Sequence, residues 1–468
     1  MIGPRLKASL ARFLADYGML LVLLLLCVYY GLATIERKSP TGGAAAAQLA
    51  RHIADRFDRQ TAVLVATGEG QHEVELAERL TVRLAEAGFQ VVGTVKGQPA
   101  DARDALEAAA RAGKRVDLIA CSDASAKWGV FENLRQTLPA LAEVRIIAPS
   151  PYRSSKFLEP GNLLNVSNQI VVIAILAVGM TMVILTGGID LSVGSLVALS
   201  AVVAAMLIRD LAGGEAASPA GMALGCLGGV AACAAVGLLS GLMVALLKMP
   251  PFVVTLGMML VARGLAYILA EGQSIDQVPG TFVWLGRGAD LWGIPNAIVL
   301  LIALYAAAHV MMTRMPLGRY IYAVGGNTQA AQLSGVRVGR VLVMVYTMCG
   351  MLAGLGGIVL ASQLRGGSPR YGEQFYELYT IAAVVVGGTS LVGGEGRILG
   401  TLIGAFIIAV IQNGMNLTEV QNDTQKIVLG LVILGAVLLD MLKRQGRLTR
   451  LVAVLRDLRR PSAPRGRR

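Results

Sequence analysis

Five side chains able to do polar chemistry fall inside otherwise apolar stretches: Arg263, Glu377, Gln412, Asn413 and Asn416. Hydrocarbon offers such groups no partner, so they face a cavity or one another. They are candidates for lining a path; for the amides, hydrogen bonds between helices are the competing role. The residue patterns of an enzyme are missing. No G-x-x-x-x-G-K-[ST] phosphate loop occurs, and Gly68-Glu69-Gly70 is only a fragment of a dinucleotide fingerprint. Cys27, Cys121, Cys226, Cys233 and Cys349 are scattered without CxxC spacing, and His52, His72 and His309 are isolated. We therefore expect no catalytic residue, no metal site and no cofactor held by this chain.

The elements that must position these groups are membrane helices. The chain is 55% hydrophobic and 15% charged, with a mean hydropathy of +0.62, whereas a soluble chain carries about a quarter charged residues. Apolar runs long enough to span a bilayer recur. We expect about ten: Tyr17–Ala33, then residues near 168–187, 191–212, 221–247, 251–271, 296–313, 341–363, 376–393, 398–416 and 425–442. Ten spans return the chain to its starting side. Arg314, Arg319, Arg337 and Arg340 then share one loop that has no acidic residue, which places that loop in the cytoplasm. The net charge of +12 is concentrated in the tail, where Lys443–Arg468 carries ten Lys/Arg against one Asp. Behind a span this reads as a cytoplasmic, lipid-facing anchor, not a nucleic-acid site.

Residues 38–152 break the pattern. Short β-branched runs (61–67, 90–95, 116–122, 144–150) alternate with helical stretches (72–87, 99–112, 126–141), the order of parallel βαβ units. The expected fold is a polytopic α-helical membrane protein with an inserted extracytoplasmic α/β domain. Residues 1–37 would hold the cytoplasmic start and first helix, 38–152 the insert, 153–446 a core of about nine helices, and 447–468 the basic tail.

Two loops stand out. Gly187-Gly188-Ile189-Asp190 sits at a cytoplasmic turn, where Asp190 can accept from the first free N–H groups of the next helix. Its role would be a helix cap at the surface or a part in a conformational cycle. Gly387, Gly388, Leu391 and Gly394 align with Gly187, Gly188, Leu191 and Gly194, which hints at an internal repeat; with 56 glycines in the chain, chance matches also arise. In 325–336, Asn327 suits an N-cap, Thr328–Ser334 two helical turns, and Gly335 a left-handed stop. Such a short, weakly charged helix fits a groove on another protein.

The strings AVGMTMVILTGGIDLSVGSLVALS (177–200), FVVTLGMMLVARGL (252–265), LGRYIYAVGGNTQAAQLSGVRV (317–338) and AAVVVGGTSLVGGEGRILGTLIGA (382–405) closely resemble permeases of ribose/xylose-type sugar ATP-binding-cassette importers, from about Phe157 to Arg444. The resemblance implies an inner-membrane permease dimer and a cytoplasmic ATPase with two nucleotide-binding sites, which binds the ATP that this chain does not. It also implies a periplasmic sugar-binding protein docking outside. Asn327, Ala330, Ala331, Leu333 and Gly335 fall where the family meets its ATPase. The path candidates would then offer dispersed, weak partners to sugar hydroxyls. The insert departs from the family. Its element order resembles one lobe of a periplasmic sugar-binding protein, with Arg79 and Asp123 at the positions that contact sugar in that family; the partner lobe is absent, so a docking or structural role is expected ahead of sugar binding. The rival reading is a membrane receptor whose outer domain senses a sugar-like ligand; ten spans argue against it.

Overall fold

A computed structural model describes residues 4–132, 134, 141 and 143–444. The helical expectation 126–141 is only partly covered, and the basic tail 447–468 lies outside the described residues. The chain forms two compact units: Ile35–Lys156, and the residues before and after it.

The chain begins with α1 (Pro4–Ala33), whose apolar part is Gly18–Ala33. In the second unit, β1 (Ile35–Lys38) and β6 (Tyr152–Ser155) form an antiparallel pair that joins its two ends. Between them run α2 (Gly42–Arg56), β2 (Ala62–Thr67), α3 (Gln71–Glu86), β3 (Gln90–Lys96), α4 (Pro99–Arg111), β4 (Leu118–Cys121), α5 (Gly129–Glu132) and β5 (Arg145–Ile147). The four strands β2–β5 form one parallel sheet in the order β3-β2-β4-β5. Strand β2 is buried at every residue because helices cover both faces, as parallel sheets require. Val63, Val65, Leu118 and Ala120 pack with Leu49, Ile53, Leu76 and Leu80. Leu64, Ala66 and Ile119 pack with Leu106 and Phe131 on the other face.

The remaining helices are α6 (Pro160–Leu185), α7 (Val193–Leu211), α8 (Pro219–Ala245), α9 (Pro251–Leu269), the short α10 (Trp284–Arg287), α11 (Asn296–Arg314), α12 (Pro316–Gly326), α13 (Thr328–Leu333), α14 (Val338–Leu364), α15 (Tyr376–Val386), α16 (Ile398–Leu417) and α17 (Asn422–Arg444). Among the described residues seven are long and apolar enough to cross a membrane: α6, α7, α8, α9, α11, α14 and α16. Three expected spans fall outside that set: the 16 apolar residues of α1, the 11 of α15, and α17. The expected span 376–393 ends at Val386, where Gly387 caps the helix and Gly388 takes φ +88°. Helix α6 starts eight residues earlier than expected, because Pro160 supplies a pre-set first turn ahead of the apolar run.

Helix α6 is the most enclosed span, and α14 crosses it where glycine removes the Cβ: a Cβ on Gly179 would lie 2.9 Å from the Cys349 Cα. Helices α8 and α14 approach in the same way, through Gly237 and Gly350. Where two helices have no hydrophobic effect to hold them in lipid, this closeness supplies the packing.

Candidate functional site

The short helix α13 forms as its sequence dictates. The Asn327 side chain accepts the Ala330 N–H at 2.9 Å, and Gly335 closes the helix at φ +84°. Ala331 is buried against the rest of the unit, while Ala330 is exposed. Leu333 is 90% exposed, an apolar side chain presented to nothing among the described residues. Beside α13 opens a cavity of about 1270 Å³ whose lining includes Thr186, Gly188, Lys248, Gln332, Arg337 and Tyr346.

Deeper in the unit lie two non-helical segments. One is 186–192, between α6 and α7. The other is 365–375, between α14 and α15, and contains a 3₁₀ turn Pro369–Glu373. Gly188 abuts the Tyr346 hydroxyl and Gly194 the Glu377 carboxylate, where a Cβ would lie 2.4 and 2.0 Å away. Tyr346 sits eight residues into α14, about 12 Å from its start, so the 186–192 segment is interior. Irregular backbone is tolerated at such depth only when protein covers it, and Asp190, Ser192, Ser195 and Glu377 are all buried.

Asp190 is therefore not a surface cap. Its Oδ1 accepts the Ser192 N–H at 2.9 Å and the Ser192 hydroxyl at 2.6 Å, a local turn that precedes α7 and leaves the helix N–H groups to others. Glu377, at the first turn of α15, lies with its carboxyl against Gly194 at the start of α7. A carboxylate so placed gains up to about 2 kcal/mol from the helix dipole. The glycine alignment also shifts: Gly187 takes φ +80°, but its counterpart in conformation is Gly388 at +88°, not Gly387. The linkers to the next helices differ in length as well, so the two glycine motifs are not in register.

The path candidates separate into two groups. Arg263 donates to the Gly372 carbonyl at 2.8 Å, which joins α9 to the 365–375 segment. Asn413 instead forms a reciprocal amide pair with Asn162, at 2.9 and 3.0 Å, tying α16 to α6. Asn416 is exposed and accepts from Gln425 at 2.8 Å; Gln412 is half-buried. Ser195 and Thr380, also buried near Glu377, were not singled out by sequence, since hydroxyls in apolar helices are common.

In the α/β unit the two expected contact residues are not joined by a hydrogen bond or ion pair. Arg79 pairs with Glu75 at 2.9 Å and Asp123 with Lys127 at 3.0 Å, all four partly or largely exposed. Burial pushes the neighbouring Cys121 thiol up to about 12. Among the described residues no cluster of three His, Cys, Asp or Glu forms a metal site.

A profile of the permease component of branched-chain amino acid transport systems matches residues 162–437, more than half of the chain. The chain belongs to this permease family. The ribose import permease protein RbsC of Escherichia coli (strain K12) is 43% identical over 308 residues, 65% of this chain and 93% of that protein. Its namesake in Bacillus subtilis (strain 168) is 45% identical over 318 residues, 67% and 95%. The D-allose transport system permease protein AlsC of E. coli K12 is 37% identical over 286 residues, 61% and 85%. No solved structure matches. The family match runs from α6 into α17 of the permease and leaves Ile35–Lys156 outside it. The molecule is a helical, multi-pass membrane permease.

Proposed function

We propose that this permease is the membrane-spanning subunit of an ATP-driven importer of a monosaccharide in the bacterial inner membrane. The observation that carries the reading is its likeness to two ribose import permeases over more than nine-tenths of their length. Ten passages, with α1, the 365–386 region and α17 completing the seven long helices, put α13 in the cytoplasm and the α/β unit outside. The partners are a cytoplasmic ATPase with two nucleotide-binding sites, which binds the ATP, a periplasmic sugar-binding protein, and a second copy of this chain. Leu333 and its neighbours on α13 enter the ATPase groove. ATP-driven closure moves them, and the interior near Thr186, Gly188 and Tyr346 alternates in access between the two sides. The α/β unit, whose element order we read as resembling one sugar-binding lobe, meets the docked binding protein or shields the outer mouth.

Proteoliposomes holding the permease, its cognate ATPase and binding protein test this with labelled D-ribose, D-allose and L-arabinose. ATP-dependent accumulation of one of them is the expected result. Accumulation of a branched-chain amino acid instead, or ligand binding to the α/β unit without any uptake, would overturn it in favour of an amino-acid importer or a receptor.

A further inference from the structure

Around the start of α7 lie five buried polar side-chain atoms that make no hydrogen bond: Asp190 Oδ2 in the turn before it, and a group of four, Glu377 Oε2, Ser195 Oγ, Thr380 Oγ1 and Arg263 Nε. Buried polar groups are almost always partnered, so four orphans in one place need an explanation. Ser195 follows Gly194, the residue against which Glu377 Oε2 lies. Thr380 is one turn beyond Glu377 and shares its face of α15. Arg263 reaches the group from α9 through Gly372. Ser195 and Thr380 are fully buried and Glu377 is 6% exposed. The N-terminus of α7, a 19-residue helix, adds its own free N–H groups.

The mixture of groups selects the ligand. Arg263 beside the Glu377 carboxyl leaves little net charge to draw a simple anion or cation, whereas a neutral polyol both donates and accepts and can satisfy all four atoms. The segment 366–374 covers the place: a Cβ on Gly372 would lie 3.5 Å from the Ser195 Cα, and one on Gly367 only 2.3 Å from the Ala201 carbonyl oxygen. Its two ends, Arg365 at φ +57° and Phe375 at φ +55°, hold a left-handed conformation that side-chain-bearing residues avoid. Strained backbone of this kind collects at clamps and switches. Resting on the import reading above, we propose that Glu377, Ser195, Thr380 and Arg263 form a transient site for monosaccharide hydroxyls inside the permease, exposed when residues 366–374 withdraw.

The test uses the complete reconstituted importer and the best-transported of D-ribose, D-allose and L-arabinose, together with the monodeoxy analogues of that sugar. Ser195→Ala and Thr380→Val should each raise the KM for uptake at least fivefold and lower discrimination against one deoxy analogue by a similar factor. Their melting temperatures should stay level or rise, because an unpartnered buried hydroxyl holds nothing in place. Glu377→Gln, which keeps the shape, should cut uptake at least tenfold. Wild-type KM and wild-type discrimination in all three variants would overturn the site while leaving the import reading intact. A lowered melting temperature with unchanged discrimination would also overturn it and make these groups structural. Failure of the wild type to take up any of the three sugars would instead sink the import reading, and this site with it.

Discussion

Gly394 donates its backbone N–H to the carbonyl of Leu185 at 2.9 Å, so the turn after α15 is stitched to the last residue of α6, more than 200 positions earlier. Gly325, near the end of α12, closes the same junction: a Cβ there would lie 1.7 Å from the Leu185 oxygen and 2.6 Å from the Gly394 nitrogen. Three backbones thus converge where only hydrogen atoms fit, one of them leading directly into α13. Only backbone separates the end of α12, which leads into α13, from the start of the 186–192 segment.

Gly325→Ala should therefore fail as a conservative change. The carbonyl and amide it would strike are backbone and cannot rotate away, and overpacking of this kind costs about 1–3 kcal/mol or more. Gly326, where a Cβ meets nothing within 4 Å, is the control. We expect Gly325→Ala to lower the melting temperature of detergent-solubilised permease by several degrees and Gly326→Ala to leave it nearly unchanged; equal melting of the two would contradict the close approach.

Leu333→Arg should leave the permease folded, because a side chain 90% exposed has no packing to lose and surface changes fall within about 0.5 kcal/mol. In an ATPase groove the same charge is costly unless paired. Co-purification of the ATPase should drop at least tenfold with an unchanged melting temperature. Undiminished co-purification would remove α13 from the coupling interface.

What could be read in advance was local. Asn327 and Gly335 announced α13 because an N-cap and a left-handed stop act on their nearest neighbours. The apolar runs announced the long helices for the same reason. Relations across the chain were not legible. The β1–β6 pair joins residues more than 110 positions apart, and nothing in IERK or YRSS marks them as partners. Helix α2 carries its apolar residues at Ala45, Ala46, Leu49 and Ile53, a helical spacing present in the sequence but masked by its alanines. Asp190 looked like a cap because Asp before an apolar run commonly is one; only the fold shows α14 enclosing it.

The Asn162–Asn413 pair separates packing from transport. Asn413→Leu leaves the half-buried Asn162 amide with only the Phe157 carbonyl as partner, which costs about 1 kcal/mol. Asn162→Leu with Asn413→Leu removes both and should recover part of that loss. Thermal unfolding of the two single variants and the double variant gives the coupling. Additive losses, with uptake falling in parallel in every variant, would instead favour contact with the transported ligand.

In the α/β unit a charge controls the edge between β2 and β4. Burial works against the charge of Asp117, but the Ala62 N–H at 3.0 Å and the Arg115 guanidinium hold its carboxyl below the usual aspartate value. A carboxyl lowered in the folded state contributes stability above its unfolded value, and loses it as pH falls through the folded one. The contribution is thus complete near neutrality and disappears below about pH 4, the ordinary aspartate range. Hydrogen-exchange protection of the β2 and β4 peptides should fall between about pH 5 and about pH 2 in the wild-type chain, after correction for intrinsic exchange. In Asp117→Asn that acid-dependent fall should be smaller, with lower protection at pH 7. The same acid-dependent fall in both proteins would show that Ala62 and Arg115 do not hold the Asp117 charge.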